Sequence, residues 1–403
     1  MRTSGRQADN GAVTPGATVR QGAFERQAEV DMGSWNWRDE THMEPFRLVR
    51  REILERLLAP WRQVAPETEG LGETWPDALL TLAPSELPGD LLELLRQIDD
   101  LATEAGHARL LSLCREGGID PGSLAELDPR SAACLAWLEH RNVFQQAWDV
   151  SFVENLDNFR VFAAPAHAHT TPATLTLGRM EFELGRAFAQ RGRTAYCRIR
   201  CWSWGERTCF LIARGQVRRV EAALDDAASE AQHAWRPRLW EAVVWDPSTR
   251  QLQVRAGDRP TLDLYRERFG AHLLGDEAAF SEERLISLDP LVQHREMALE
   301  ITPGLDEVTL TSLQVALTDR HHGRLTIDGK DVFLVLERLK MDASTLGSLA
   351  QATFKVRFEG SRRQRRVEIR PPNQLIFDRR AHRDVVEGFL LARGFLRRTP
   401  AIG

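Results

Sequence analysis

The hydrophobic period of this chain changes near residue 174, and that change limits the folds open to it. Before it, apolar residues recur at intervals of three and four, the spacing of one helix face. Phe46, Val49, Ile53, Leu54 and Leu57 form one such run, ending before Pro60. Asp90 follows Pro88-Gly89 and opens another, in which Leu91, Leu94, Leu95, Ile98, Leu101 and Ala105 share a face. Gly117-Gly118 closes its continuation. Asp128 with Pro129 then supplies the N-cap and first-turn pair of a further helical stretch that reaches Trp148. No repeat period stacks these helices into a solenoid.

After residue 174 the apolar residues alternate. Residues 195–201 and 208–213 read as strands joined by a turn with Gly205 at its bend, and Leu175 and Leu177 as the start of an earlier strand. Residues 240–245 and 251–255 form a second hairpin around Asp246-Pro247-Ser248-Thr249. Helices are expected over 180–190, 216–232 and around Leu262 to Phe269, and strands over 308–317 and 324–327. Strand pairs with tight turns and helices between them define an α+β fold with antiparallel pairing.

The C-terminal stretch has an order of its own. A helix over 329–340 is followed by a short one from Asp342 to about 351, then a strand over 353–358. Residues 359–366 make a turn. Val367 and Ile369 lie on a return strand stopped by Pro371-Pro372, and an amphipathic helix covers 382–395. Helix, helix, hairpin, helix is a winged-helix-like order. The expected layout is therefore a disordered tail (1–44), a helical N-terminal domain (45–160), a central antiparallel α+β domain (174–320) and a small winged-helix-like basic C-terminal module (329–398).

Charge marks this last module. Between Lys355 and Arg398 there are 13 basic and five acidic residues, a balance of +8 in a chain of net −5, leaving −13 for the remainder. Arg362, Arg363, Arg365 and Arg366 fall at the hairpin tip, and Arg379 and Arg380 precede the last helix. Guanidinium groups there can reach phosphates. These six residues are the expected nucleic-acid-binding site, for DNA or RNA. All 11 Trp lie at or before Trp245 and the two Tyr are Tyr196 and Tyr265, so the basic end has no Trp or Tyr on which bases could stack.

Other functions find less support. No apolar run approaches the roughly 18 residues of a membrane span, so no membrane partner is expected. Five cysteines without a signal peptide suggest reduced thiols and a cytoplasmic protein. Cys197 and Cys201 share the apolar face of a strand. His167-Ala-His169 and His321-His322 have no third ligand at metal spacing. Asp328-Gly329-Lys330 has the spacing of a nuclease carboxylate and lysine, without a placed second carboxylate. Gly329-Lys330 is followed by Asp331, so no phosphate-cradling loop is present, and Ser203 lacks the glycine of a nucleophile elbow. No catalytic residue, metal or cofactor is assigned. The reading is a non-enzymatic nucleic-acid-binding or adaptor protein of a bacterial multi-protein system, with the helical domain free to meet a protein partner. A metal-dependent hydrolase or nuclease with scattered ligands and a protein–protein scaffold are the alternatives.

Overall fold

The structure is a computed structural model. It describes residues 43–64, 74–82, 86–165, 177–224, 230–282, 285–317, 323–342, 345, 347–378 and 382–397, with the side chains of 44 and 221–235 left out. Residues 1–42 of the expected tail, His167, His169, His321, His322, Arg379 and Arg380 lie outside the described residues.

The helical region comprises α1 (Arg51–Leu58), α2 (Trp75–Thr81), α3 (Gly89–Leu101), α4 (Glu104–Glu116), α5 (Gly122–Ala125), α6 (Pro129–Glu139) and α7 (Arg141–Asn155). Its caps follow from the sequence. The Asp128 side chain accepts from the amides of Arg130 and Ser131 at 3.0 Å each, and Gly118 takes a φ of +69° after α4. The run from Asp90 breaks at Ala102, where Thr103 caps α4 by accepting from Gly106 N at 3.0 Å. A Cβ on Gly106 would stand 2.3 Å from the Leu101 carbonyl oxygen, so the tight α3–α4 corner requires glycine.

The chain then enters β1 (Phe159–Ala163), α8 (Leu177–Gln190), β2 (Cys197–Trp204) and β3 (Arg207–Gly215). After β4 (Arg219–Leu224) and β5 (Glu230–Trp235) come β6 (Arg238–Asp246), β7 (Gln251–Arg255) and α9 (Arg259–Leu274). The rest is α10 (Asp289–Gln293), β8 (Leu305–Ala316), β9 (Arg324–Asp328), α11 (Val332–Leu339), β10 (Ser348–Phe358), β11 (Gln364–Arg370), β12 (Gln374–Phe377) and α12 (Arg383–Ala392). Ten strands form one antiparallel sheet in the order β2-β3-β6-β7-β1-β12-β11-β10-β8-β9. The α+β class and the helical N-terminal region stand as expected.

Four local expectations are corrected. Leu177, read as a strand residue, opens α8. The described residues of 216–232 form no helix; β4 and β5 are a two-stranded ribbon. β3 and β6 are neighbours, and their ladder continues outward through Gln216 N donating to Pro237 O at 2.8 Å, which overrides local helix propensity. Residues 348–351 belong to β10, not to a helix from Asp342, because Leu349 and Gln351 pair with Val315 and Gln314 of β8. The hairpin β10–β11 is no freestanding wing. β8 flanks it on one side and β12 on the other, so the C-terminal strands are built into the same sheet as the central ones. Residues 40–403 form one compact unit.

The two faces of the sheet carry different cores. On one face Phe162, Phe210, Ile212, Val243, Trp245 and Leu252 pack under α8 and α9. On the other, Val161, Ala163, Phe354, Val356, Val367, Ile369 and Leu375 pack with Leu291 of α10, Phe333 of α11 and Phe389 of α12.

The helical region meets the second face at its β2–β3–β6 end. Arg200 lies between Trp148 and Trp240, at 5.4 and 4.5 Å from the ring centroids, and 3.1 Å from Asp149. Arg238 reaches Glu93 at 3.3 Å. Burial pushes the Asp149 carboxyl up to about 6, against the opposing pull of Arg200 and Gln145. A carboxyl raised in the folded state favours folding fully below its unfolded value near 3.8 and loses that contribution as pH rises through about 6. The stability of wild type relative to Asp149→Asn should therefore fall by about 2 kcal/mol from pH 4 to 7, read from urea unfolding at each pH.

Beneath α9 lies a fully buried charge pair. Arg214 Nε and Nη2 donate to the two Glu241 carboxylate oxygens at 2.6 and 2.7 Å. Tyr265 Oη and the Gly257 amide each donate to the same carboxylate at 2.6 Å. Burial, then the Glu241 charge, drives the Tyr265 hydroxyl well above its ordinary pKa. Glu241→Ala strands the guanidinium and should cost about 3–5 kcal/mol. Replacing both partners, Arg214→Met with Glu241→Leu, should cost less than the single change in the same denaturant titration.

Candidate functional site

The β8–β12 half of the sheet has one covered face and one open face. Strand alternation puts Ala352, Phe354, Val356 and Phe358 of β10 into the core and turns Thr353, Lys355 and Arg357 the other way. Cross-strand register sets Arg366 beside Lys355, Glu368 beside Thr353 and Gln374 beside Arg370. Arg160 of β1 pairs with Gln374 and so borders the same surface. The result is a polar sheet face of Thr, Gln, Glu, Lys and Arg side chains, buried at Thr353, Glu368 and Gln374 and exposed at Lys355 and Arg366, extended at one end by the exposed turn with Arg362 and Arg363.

The turn is built locally. Gly360 takes a φ of +74°, and Ser361 Oγ accepts from the Arg363 amide at 3.2 Å while donating to the Arg363 carbonyl at 3.3 Å. Glu359 N donates to Gly304 O at 3.1 Å, which ties the turn to the start of β8.

The same alternation divides the expected arginine cluster. Arg366 lies on the open face. Arg365, opposite Val356, is on the core side of the strand end and stands 3.8 Å from Asp378. Arg362 and Arg363 are exposed and have no carboxylate within ion-pair range among the described residues. Arg366 and Arg370 share the buried Glu368, the latter at 2.5 Å, and Arg357 reaches Glu307 at 3.2 Å. Lys355 is exposed and unpaired among the described residues.

Four further cations, Arg160, Lys355, Arg357 and Arg370, escaped the sequence reading as site residues. Lys355 and Arg357 were legible from their alternation with Phe354 and Val356. Arg160 was not, because only the sheet order brings it to the C-terminal strands. Burial, then the neighbouring charges of Arg259 and Arg370, holds the Arg160 guanidinium below its ordinary value, a sign of positive potential beside α9. Its Nη1 donates to Asn373 Oδ1 at 3.2 Å.

The other sequence candidates are not brought together. Cys197 is buried but Cys201, on the edge strand, is exposed, and none of the five cysteines forms a disulfide. Asp328 and Lys330 are exposed at the end of edge strand β9. Among the described residues no group of three His, Cys, Asp or Glu side chains is arranged to hold a metal, and no helix is long and apolar enough to cross a membrane. Neither the scan against protein-family models nor the search of curated proteins finds a match for this chain.

Proposed function

We propose that this protein binds nucleic acid without acting on it, holding the phosphate backbone against the open face of β10 and β11 and the Arg362–Arg363 turn. One observation carries the reading: a polar sheet face, exposed at Lys355 and Arg366, is continuous with cations that no carboxylate among the described residues neutralises. Lys355, Arg362 and Arg363 supply free charge, and Arg366 and Arg370 add donors once a phosphate competes with Glu368. The face carries no Trp or Tyr among the described residues, which favours backbone contact over base stacking.

Binding of a fluorescently labelled duplex should weaken with salt at a log–log slope of about −0.9 per phosphate contacted. Combined Lys355→Ala, Arg362→Ala and Arg363→Ala should flatten that slope and lower affinity across sequences, while Arg365→Ala changes little. Lack of binding at about 50 mM salt, or an unchanged slope in the triple variant, would overturn the reading. Glu368→Gln releases Arg366 and Arg370 from their shared carboxylate, and anisotropy titration should then give tighter binding with a steeper salt slope.

A further inference from the structure

A separate cleft of about 440 Å³ opens on the opposite face of the sheet, where four elements end. Its walls are the last turn of α7 (Glu154), the β2–β3 turn (Trp204 to Arg207), the β6–β7 corner (Asp246, Ser248) and the start of α12 (His382 to Asp384). That volume falls in the range of roughly 300–1,000 Å³ common for small-molecule sites.

Burial separates a floor from a rim. Glu154, Asp246 and Arg383 are 8%, 2% and 5% exposed, whereas Glu206 is exposed and the Asp384 side chain is 88% exposed. The floor is internally paired with one exception. Glu154 accepts from Arg109 at 2.5 Å. Asp246 accepts from Arg207 Nε at 2.8 Å and from Ser248 Oγ at 2.7 Å. Arg383 donates from Nε to Glu387 at 2.8 Å and from Nη2 to Gln253 at 2.9 Å, and lies over the Trp204 ring at 5.4 Å. Arg383 Nη1 is buried and has no acceptor among the described residues. A buried charged donor left unmet is costly, so an acceptor oxygen belongs beside it.

The lining as a whole is acidic: Glu154, Glu206, Asp246 and Asp384 against Arg207 and Arg383, with Arg207 Nη2 also 3.5 Å from Asp384 at the exposed rim. An occupant must therefore offer an acceptor inside and positive charge outside. We infer that the cleft binds a basic amino acid, its carboxylate on Arg383 Nη1, its chain along Trp204 and its cationic end at Glu206 and Asp384. Glu154, close enough to Arg383 to interact with it electrostatically, faces the α-amino group.

The test is calorimetric titration of the full chain with three probes. L-Arginine carries both features, agmatine lacks the carboxylate, and L-citrulline lacks the side-chain charge. L-Arginine should bind at least tenfold tighter than either. Glu206→Gln with Asp384→Asn, both at the exposed rim, should bring L-arginine down to the level of L-citrulline while leaving the thermal midpoint of the free protein unchanged. Arg383→Lys is packed against Gln253 and Glu387 and could unfold the cleft, so the rim variant decides. Equal affinity for the three probes, no binding of L-arginine, or an unchanged L-arginine affinity in the rim variant would overturn the inference.

Discussion

Strand β1 is buried on both faces, and both cores depend on it. Phe162 enters the core under α8 and α9, while Val161 and Ala163 enter the core on the far side of the sheet. A slip of one residue would exchange these sets, so two cores fix its register with β7 and β12 at once. The constraint also explains why residues 40–403 form one unit. The helical region ends by feeding the middle of the sheet, and the last strand, β12, closes against the first.

This arrangement decides what the sequence could reveal. Elements with one wet face were legible: α3 with its apolar row, the β2–β3 hairpin with Gly205 at a φ of +60°, and α12 with Val386, Phe389 and Leu390 inward. β1 gave no alternation, because Phe159, Val161, Phe162 and Ala163 are all buried. The ribbon β4–β5 was hidden by helix-forming residues held in a ladder that starts elsewhere. The C-terminal hairpin was read correctly as a hairpin and wrongly as a small module, since pairing with β8 and β12 is a long-range fact. At the candidate site the exposed tip was legible. Which arginines share a face depended on register.

Arginine supplies nearly all the positive charge of this chain, which has lysine only at positions 330, 340 and 355. A guanidinium can ion-pair bidentately and stack on aromatic rings, so it serves inside a fold where an ammonium would not. Arg214 with Glu241, Arg200 between Trp148 and Trp240, and Arg130 at 4.8 Å over Phe46 all show this use. Charge counted along such a sequence therefore overstates the charge free to meet a partner.

The basic C-terminal stretch makes the point quantitative. Arg357, Arg365, Arg366, Arg370, Arg383, Arg393 and Arg397 each have a carboxylate within 4.0 Å. Three of those carboxylates, Glu307, Glu300 and Asp289, come from outside the stretch, so part of the acidic remainder folds back onto it. These pairs are not equivalent. Arg357–Glu307 is 41% and 38% exposed, and such a pair is weak and screened, so a phosphate can replace its carboxylate. Arg383–Glu387 is 5% and 12% exposed, and breaking it would leave a buried charge. The surface available to a polyanion thus centres on Lys355, Arg362 and Arg363, then on the exposed pairs around them. Arg383, buried and paired with Glu387, lies outside that surface.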